Sequence, residues 1–172
     1  MILVTAFKPF NKSVNNYSLE VLKYIKNVDK VILDVVYDEC FNDLEKNLDL
    51  DKYDLIICMG EARMREELMI EKIARNISSC SIADNLGNLK QNEVIIKDAP
   101  DMIETKVLID KLDVKISEDA GKFVCNNLYY HMLYNYPEKS IFIHIPNCHD
   151  DDKKCFEYAQ KIEEVIQKIS SL

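Results

Sequence analysis

Short apolar runs of strand length alternate along this chain with segments whose apolar positions recur every three or four residues. Ile2 to Phe7 reads as a first strand. Tyr17 to Ile25 carries Leu19, Val21, Leu22 and Ile25 on one helical face, with Asn15 or Asn16 as its cap. Val31 to Val36 predicts a second strand and Cys40 to Leu48 a second helix. Leu55 to Met59 is wholly apolar and is followed by Gly60, as expected of a strand covered on both faces of a parallel sheet. Glu66 to Asn76 fits neither period. Asp84-Asn85-Leu86-Gly87-Asn88, within Ile82 to Leu89, signals a turn. Ala99 to Leu112 predicts a helix with Pro100 in its first turn. Val114 to Ile116 predicts a short strand, Ala120 to Tyr134 a helix, Ser140 to Ile145 a strand, and Lys154 to Ile169 a closing helix. The alternation predicts an α/β fold, a three-layer α/β/α sandwich with a mostly parallel central sheet of the phosphorylase/hydrolase-like kind. Nothing along residues 1–172 reads as a linker or a repeat, so one domain is expected.

In open α/β sheets, sites collect at the carboxyl ends of the strands. Phe7, Gly60 and His144 fall at such ends, and Cys125 follows the turn after the Val114 strand. These positions are expected to converge. Charge narrows the partners. The net charge of −8 comes from bases scattered singly among acids, which disfavours nucleic acid and anionic membrane surfaces. No apolar run approaches the roughly 20 residues of a membrane span. Met1-Ile2-Leu3-Val4 lacks the basic flank and small-residue cleavage site of a signal peptide. A cytoplasmic location is therefore expected. The six cysteines have no C-x-x-C spacing and read as free thiols, Cys58 as a small core residue. Cys148, His149, Asp150 and Cys155 match no standard zinc spacing, and neither metal nor cofactor is expected.

The candidate chemistry lies in Ala120-Gly121-Lys122-Phe123-Val124-Cys125-Asn126 and Phe142-Ile143-His144-Ile145-Pro146. A thiol at the start of a helix and an imidazole at a strand end are the parts of a cysteine nucleophile. The helix N-terminus favours the thiolate. His131 and His149 have no such setting and read as surface residues.

These two blocks, with three others, resemble the pyroglutamyl peptidase I (pyrrolidone-carboxylate peptidase) family. Val4-Thr5-Ala6-Phe7-Lys8-Pro9-Phe10 is similar to V-T-G-F-x-P-F. Asn16 falls on the Asn of N-P-S. Gly60 to Asn76 is similar to G-x-A-x-x-R-x-x-I-x-x-E-R-x-A-x-N, and Ile82 to Gly87 resembles I-P-D-N-x-G. The resemblance implies a cysteine exopeptidase that removes N-terminal pyroglutamate from peptides, without metal or cofactor. Its triad falls on Glu71, Cys125 and His144. Its lactam pocket falls on Phe7, Phe10, Asn16, Phe123 and Val124, completed by the backbone near Ile82. His144 would shuttle the thiol proton, Glu71 would orient the imidazolium, and backbone N–H groups near Cys125 would bind the oxyanion. The family commonly forms tetramers through extra loops, so a homo-oligomer is implied, although this chain is shorter at its carboxyl end and after Asn88. It also departs from the pattern at Ala6, at Arg63-Met64 in place of two glycines, at Ser81 in place of an arginine, and at Glu61 and Asp119, which bring negative charge towards Cys125. Those departures leave a second expectation, a divergent member that binds a pyroglutamyl-like or other small ligand without efficient hydrolysis.

Overall fold

Two faces of one sheet organise the molecule. The computed structural model describes residues 1–172. Its six-stranded sheet contains β1 (Ile2–Phe7), β2 (Asp29–Leu33), β3 (Leu55–Glu61), β4 (Met69–Glu71), β7 (Lys115–Ser117) and β8 (Ser140–Ile145), in the order β2-β1-β3-β8-β4-β7. β1, β2, β3 and β8 run parallel, and the short β4–β7 pair runs antiparallel to β8. A two-stranded ribbon, β5 (Ile73–Arg75) with β6 (Met102–Glu104), lies apart from it.

Strand alternation sends side chains into two separate cores. Val4, Ala6, Ile57, Met59, Ile141 and Ile143 pack under α1 (Tyr17–Leu22) and α4 (Asp152–Ser170). Leu3, Phe7, Ile56, Cys58 and Phe142 pack under α2 (Glu39–Asn47) and α3 (Val124–Asn135). The expected three-layer sandwich with a mostly parallel sheet is therefore the observed fold. No helix is long and apolar enough to cross a membrane.

Asn16 caps α1 by accepting the Ser18 N–H at 3.0 Å. The first turn of α3 begins later than the pattern suggested, because Gly121 turns the chain at φ +77°, and the helix starts at Val124. The ambiguous Glu66–Asn76 stretch resolves into β4 and β5. Lys72 separates the two strands, and they enter different sheets.

One expectation is corrected. Ala99 to Leu112 is not a helix; it forms β6 and a 3-10 turn at Ile109–Lys111. Ile103 packs in the core under α3, whereas Ile109 and Leu112 lie in the core under α4. The segment crosses from one face of the sheet to the other, which a single amphipathic helix cannot do. Thr105, at the crossing, hydrogen-bonds the Ser140 carbonyl at 2.7 Å and fixes the path.

Candidate active site

Sheet register brings the candidate residues to one edge. Gly60 stands directly opposite His144 between β3 and β8, and Glu71 is paired with Phe142 between β4 and β8. Glu71 and His144 are thus diagonal neighbours on the sheet face that α3 covers. The His144 Nδ1 lies 2.6 Å from Glu71 Oε1. That contact makes Nδ1 the protonated nitrogen donating to the carboxylate and leaves Nε2 as the basic position. Glu71 is fully buried, and its Oε1 also receives an ion pair from Arg65 at 2.7 Å. Its second oxygen has no protein partner.

Cys125 is the second residue of α3. Phe123, the N-cap, supplies no side-chain cap, so the first-turn N–H groups keep their usual lack of intrahelical partners. Asn126 fixes the helix against β5: it accepts the Arg75 N–H at 3.0 Å and donates to the Arg75 and Ile77 carbonyls at 2.9 and 3.0 Å. The thiol also leans on Gly60. A β-carbon built there would lie 2.5 Å from the Cys125 sulfur and 2.9 Å from the Phe142 ring. Only glycine leaves room for the sulfur at that strand position.

The charge balance at the thiol sets the helix start against the acids around it. Cys125 is only partly buried, but the crowding around its sulfur, then the nearby Glu71 and Glu61 carboxylates, push the thiol up to about 12; Arg65 opposes them. The helix N-terminus does not win. Of the two added acids, Asp119 turns its carboxylate to the Gly121 N–H at 3.0 Å, while Glu61 sits at the thiol's cavity. Glu61 is itself held on both oxygens, by Arg63 at 2.7 Å and by the Tyr17 N–H at 2.8 Å. Neither Arg63 nor Met64 adopts positive φ, so the loop that carries them needs no glycine here.

Cys125 and His144 line one cavity of about 110 Å³. Phe7, Phe10, Asn16, Phe123 and Val124 line it too, together with Val35, Glu61 and Ala120. Phe10 and Phe123 meet at a 5.5 Å ring separation, and Tyr37 backs Phe123 edge-on at 5.6 Å. Asn16 reaches the wall with its polar atoms already used, on Ser18 and the Lys8 carbonyl. Ile82 is the exception: it lines the adjoining groove and not this cavity. Ser81 is exposed. His131 is not a surface residue as expected; it stacks on Phe41 at 4.9 Å and contacts Asp38 at 2.9 Å. Arg65 was visible in the sequence only as a motif position, and Val35 had no signal at all beyond its apolar character.

A thiol, an imidazole locked by a buried carboxylate, and free helix-terminal N–H groups around a small aromatic cavity are equipped for acyl transfer at sulfur. Fold and site together define the class, an α/β sandwich cysteine peptidase. A family model described as pyroglutamyl peptidase matches residues 1–155, and the chain belongs to that family. It is 33% identical to the pyrrolidone-carboxylate peptidase of Thermosipho africanus, over 84% of this chain and 80% of the relative. It is 32% identical to that of Brachyspira hyodysenteriae, over 84% and 82%. Among solved structures, a mutant pyrrolidone carboxyl peptidase of Pyrococcus furiosus superposes with a TM-score of 0.81 at 26% identity, covering 97% of this chain and 98% of that one. The pyrrolidone carboxyl peptidase of Fervidobacterium islandicum shares the fold at a TM-score of 0.84 and 22% identity, covering 99% and 98%.

Proposed function

We propose that this chain removes N-terminal pyroglutamate from peptides, with Cys125 as nucleophile, His144 as general base and acid, and Glu71 as the residue that orients His144. The observation that carries the reading is the 2.6 Å contact of His144 Nδ1 with buried Glu71, beside a cavity whose wall includes Cys125. The five-membered lactam enters between Phe7, Phe10 and Phe123, an apolar slot suited to a flat uncharged ring. Cys125 Sγ attacks the lactam-bearing carbonyl as its proton passes to His144 Nε2. The first-turn N–H groups of α3 stabilise the oxyanion. The tetrahedral adduct expels the peptide amine, which takes the proton from His144. Water, activated by the same nitrogen, then attacks the thioester and frees pyroglutamate and the thiol. Glu71 keeps the imidazole in the tautomer this sequence requires.

Because desolvation and the nearby carboxylates raise the resting thiol, the proposed mechanism has the proton pass to His144 as the sulfur attacks. Release of a fluorogenic amine from a pyroglutamyl conjugate tests the reading. Turnover by the reduced protein and its loss in Cys125→Ala are expected; full turnover by Cys125→Ala removes Cys125 from the mechanism.

Arg63, Met64 and Ser81, which depart from the resembled motifs, favour a second reading, a divergent member that binds a pyroglutamyl-like or other small ligand without efficient hydrolysis. Binding of pyroglutamyl peptides with no detectable turnover selects it. A cytoplasmic location and a homo-oligomer complete the proposal. The exposed Leu86, Leu89 and Val94, close in sequence, support contact with a second copy. Sedimentation at micromolar concentration reads that out as a mass above 20.0 kDa.

A further inference from the structure

A cavity of about 110 Å³ holds one small ring, and the rest of any peptide bound there must lie outside it. A larger open groove, of about 550 Å³, adjoins the cavity and shares two of its walls, Phe10 and Glu61. Its remaining sides include Lys12, Arg63, Met64 and Ile82. We infer that this groove is the subsite for the residue that follows pyroglutamate, and that it prefers a side chain with an apolar stem and an acidic end, such as glutamate. The inference rests on the peptidase reading above.

The charges in the groove are unequal in availability. Arg63 is fully engaged: beyond Glu61, its guanidinium donates to Ser13 Oγ at 2.9 Å and Asn15 Oδ1 at 2.8 Å, and it lies 4.6 Å over the Tyr17 ring. It is also the ion-pair partner of Glu61. Lys12, by contrast, is exposed and enters no ion pair. It is therefore the one free charge on the groove, a cation on a chain of net charge −8. Met64 is 97% exposed, and Ile82 is half-buried within the same groove. Unbranched Met adapts to varied apolar partners. Two apolar residues and one unpaired ammonium match a methylene stem ending in a carboxylate. The two positions where the loop carries long side chains in place of the glycines of the resembled motif, Arg63 and Met64, are what build this side of the groove.

The test compares pyroglutamyl-Glu, pyroglutamyl-Leu and pyroglutamyl-Lys peptide amides that are otherwise identical. We expect kcat/KM to favour Glu over Lys by about threefold at low salt, the scale of one exposed ion pair, with the ratio shrinking as salt rises. Lys12→Glu should invert the ratio. Met64→Gly should raise KM for the Leu peptide with kcat unchanged. Measurable but equal rates for the Glu and Lys peptides, or a ratio that Lys12→Glu leaves untouched, overturn the inference. Calorimetry on Cys125→Ala with the intact peptides gives the same ratio as Kd without turnover. A Glu preference in Kd with no hydrolysis by the wild type would therefore sink the peptidase reading while sparing the subsite; equal Kd values would sink the subsite.

Discussion

Arg65 and His144 meet on a single oxygen of Glu71, at 2.7 and 2.6 Å, and Arg65 also donates to the Asp119 carbonyl at 2.7 Å, one residue before the Ala120-Gly121 turn that leads to Cys125. One guanidinium thus ties the carboxylate of the proposed triad to the approach of its nucleophile. It also supplies the cation that a buried carboxylate needs. Arg65→Met should lower stability by on the order of 3 kcal/mol, as for other buried pairs broken from one side. Glu71→Gln removes the acceptor that sets the His144 tautomer, and kcat should fall by about 10²- to 10⁴-fold with KM little changed. Urea unfolding and steady-state kinetics measure the two effects. An Arg65→Met protein of wild-type stability would show that the ion pair does not hold Glu71 in place.

The raised thiol gives a sign to pH. With Cys125 at about 12, its alkylation by iodoacetamide should speed up about tenfold per pH unit through pH 9, with no plateau. Glu61→Gln removes an anion that opposes the thiolate, so the thiol falls and alkylation at any fixed pH accelerates. A plateau near pH 7 in the wild type would contradict the burial argument. Stability follows the same groups. Cys58 and Cys125 are both raised from 9.0 to about 12 in the folded state. The unfolded chain releases those protons first, so this contribution is complete below pH 9 and is lost as pH rises towards 12. Melting temperature should decline across that window, and Cys58→Ala should flatten the decline.

Gly60 offers a sharper separation of structure from chemistry. Its missing β-carbon leaves the space that the Cys125 sulfur occupies, with a virtual contact of 2.5 Å. Gly60→Ala must displace the thiol, the Phe142 ring or the strand. Overpacking of this kind costs about 1–3 kcal/mol. Because the reacting sulfur is one of the displaced groups, activity should fall by about 10²-fold or more, beyond what the lost stability explains. A folded Gly60→Ala protein with near-normal kcat would mean that the sulfur has another productive position.

Much of this architecture was readable from period alone. The wholly apolar Leu55–Met59 run before Gly60 read as a strand covered on both faces, and β3 is one of the two central strands of the sheet. Cys125 and His144 stood at an expected helix start and strand end. What stayed hidden depended on tertiary context. Ala99–Leu112 carries apolar residues at near-helical spacing, yet Ile103 and Ile109 serve opposite faces of the sheet. Glu71 lies in a stretch of two three-residue strands, too short for either period to declare itself. Ile82, implied by the resemblance through its backbone, lines the next groove beside Phe10 and Glu61, a placement across a turn that spacing does not encode. The thiol's charge balance was half legible: the helix start and the added Glu61 stand in the sequence, whereas desolvation of the sulfur and the approach of Glu71 from another strand do not.

The least conspicuous member of the nucleophile block is testable on its own. Asn126 is 1% exposed and satisfies three backbone groups around Arg75 and Ile77, anchoring α3 to β5 one residue from Cys125. Asn126→Ala leaves those groups unpaired in the interior, each at a cost of about 1–3 kcal/mol, partly relieved where water can enter. Asn126→Asp keeps the acceptor for the Arg75 N–H but sets a carboxylate against two carbonyl oxygens, so it should be no better tolerated. Both variants should unfold at lower urea with an unchanged slope. In the folded fraction, kcat should drop by more than KM for a pyroglutamyl substrate rises, since Phe7 and Phe10 stay in place while the start of α3, with its sulfur, its oxyanion-facing N–H groups and the Phe123 wall, loses its tether. A rise in KM with kcat preserved would place the role of Asn126 in the pocket wall and not in the positioning of Cys125.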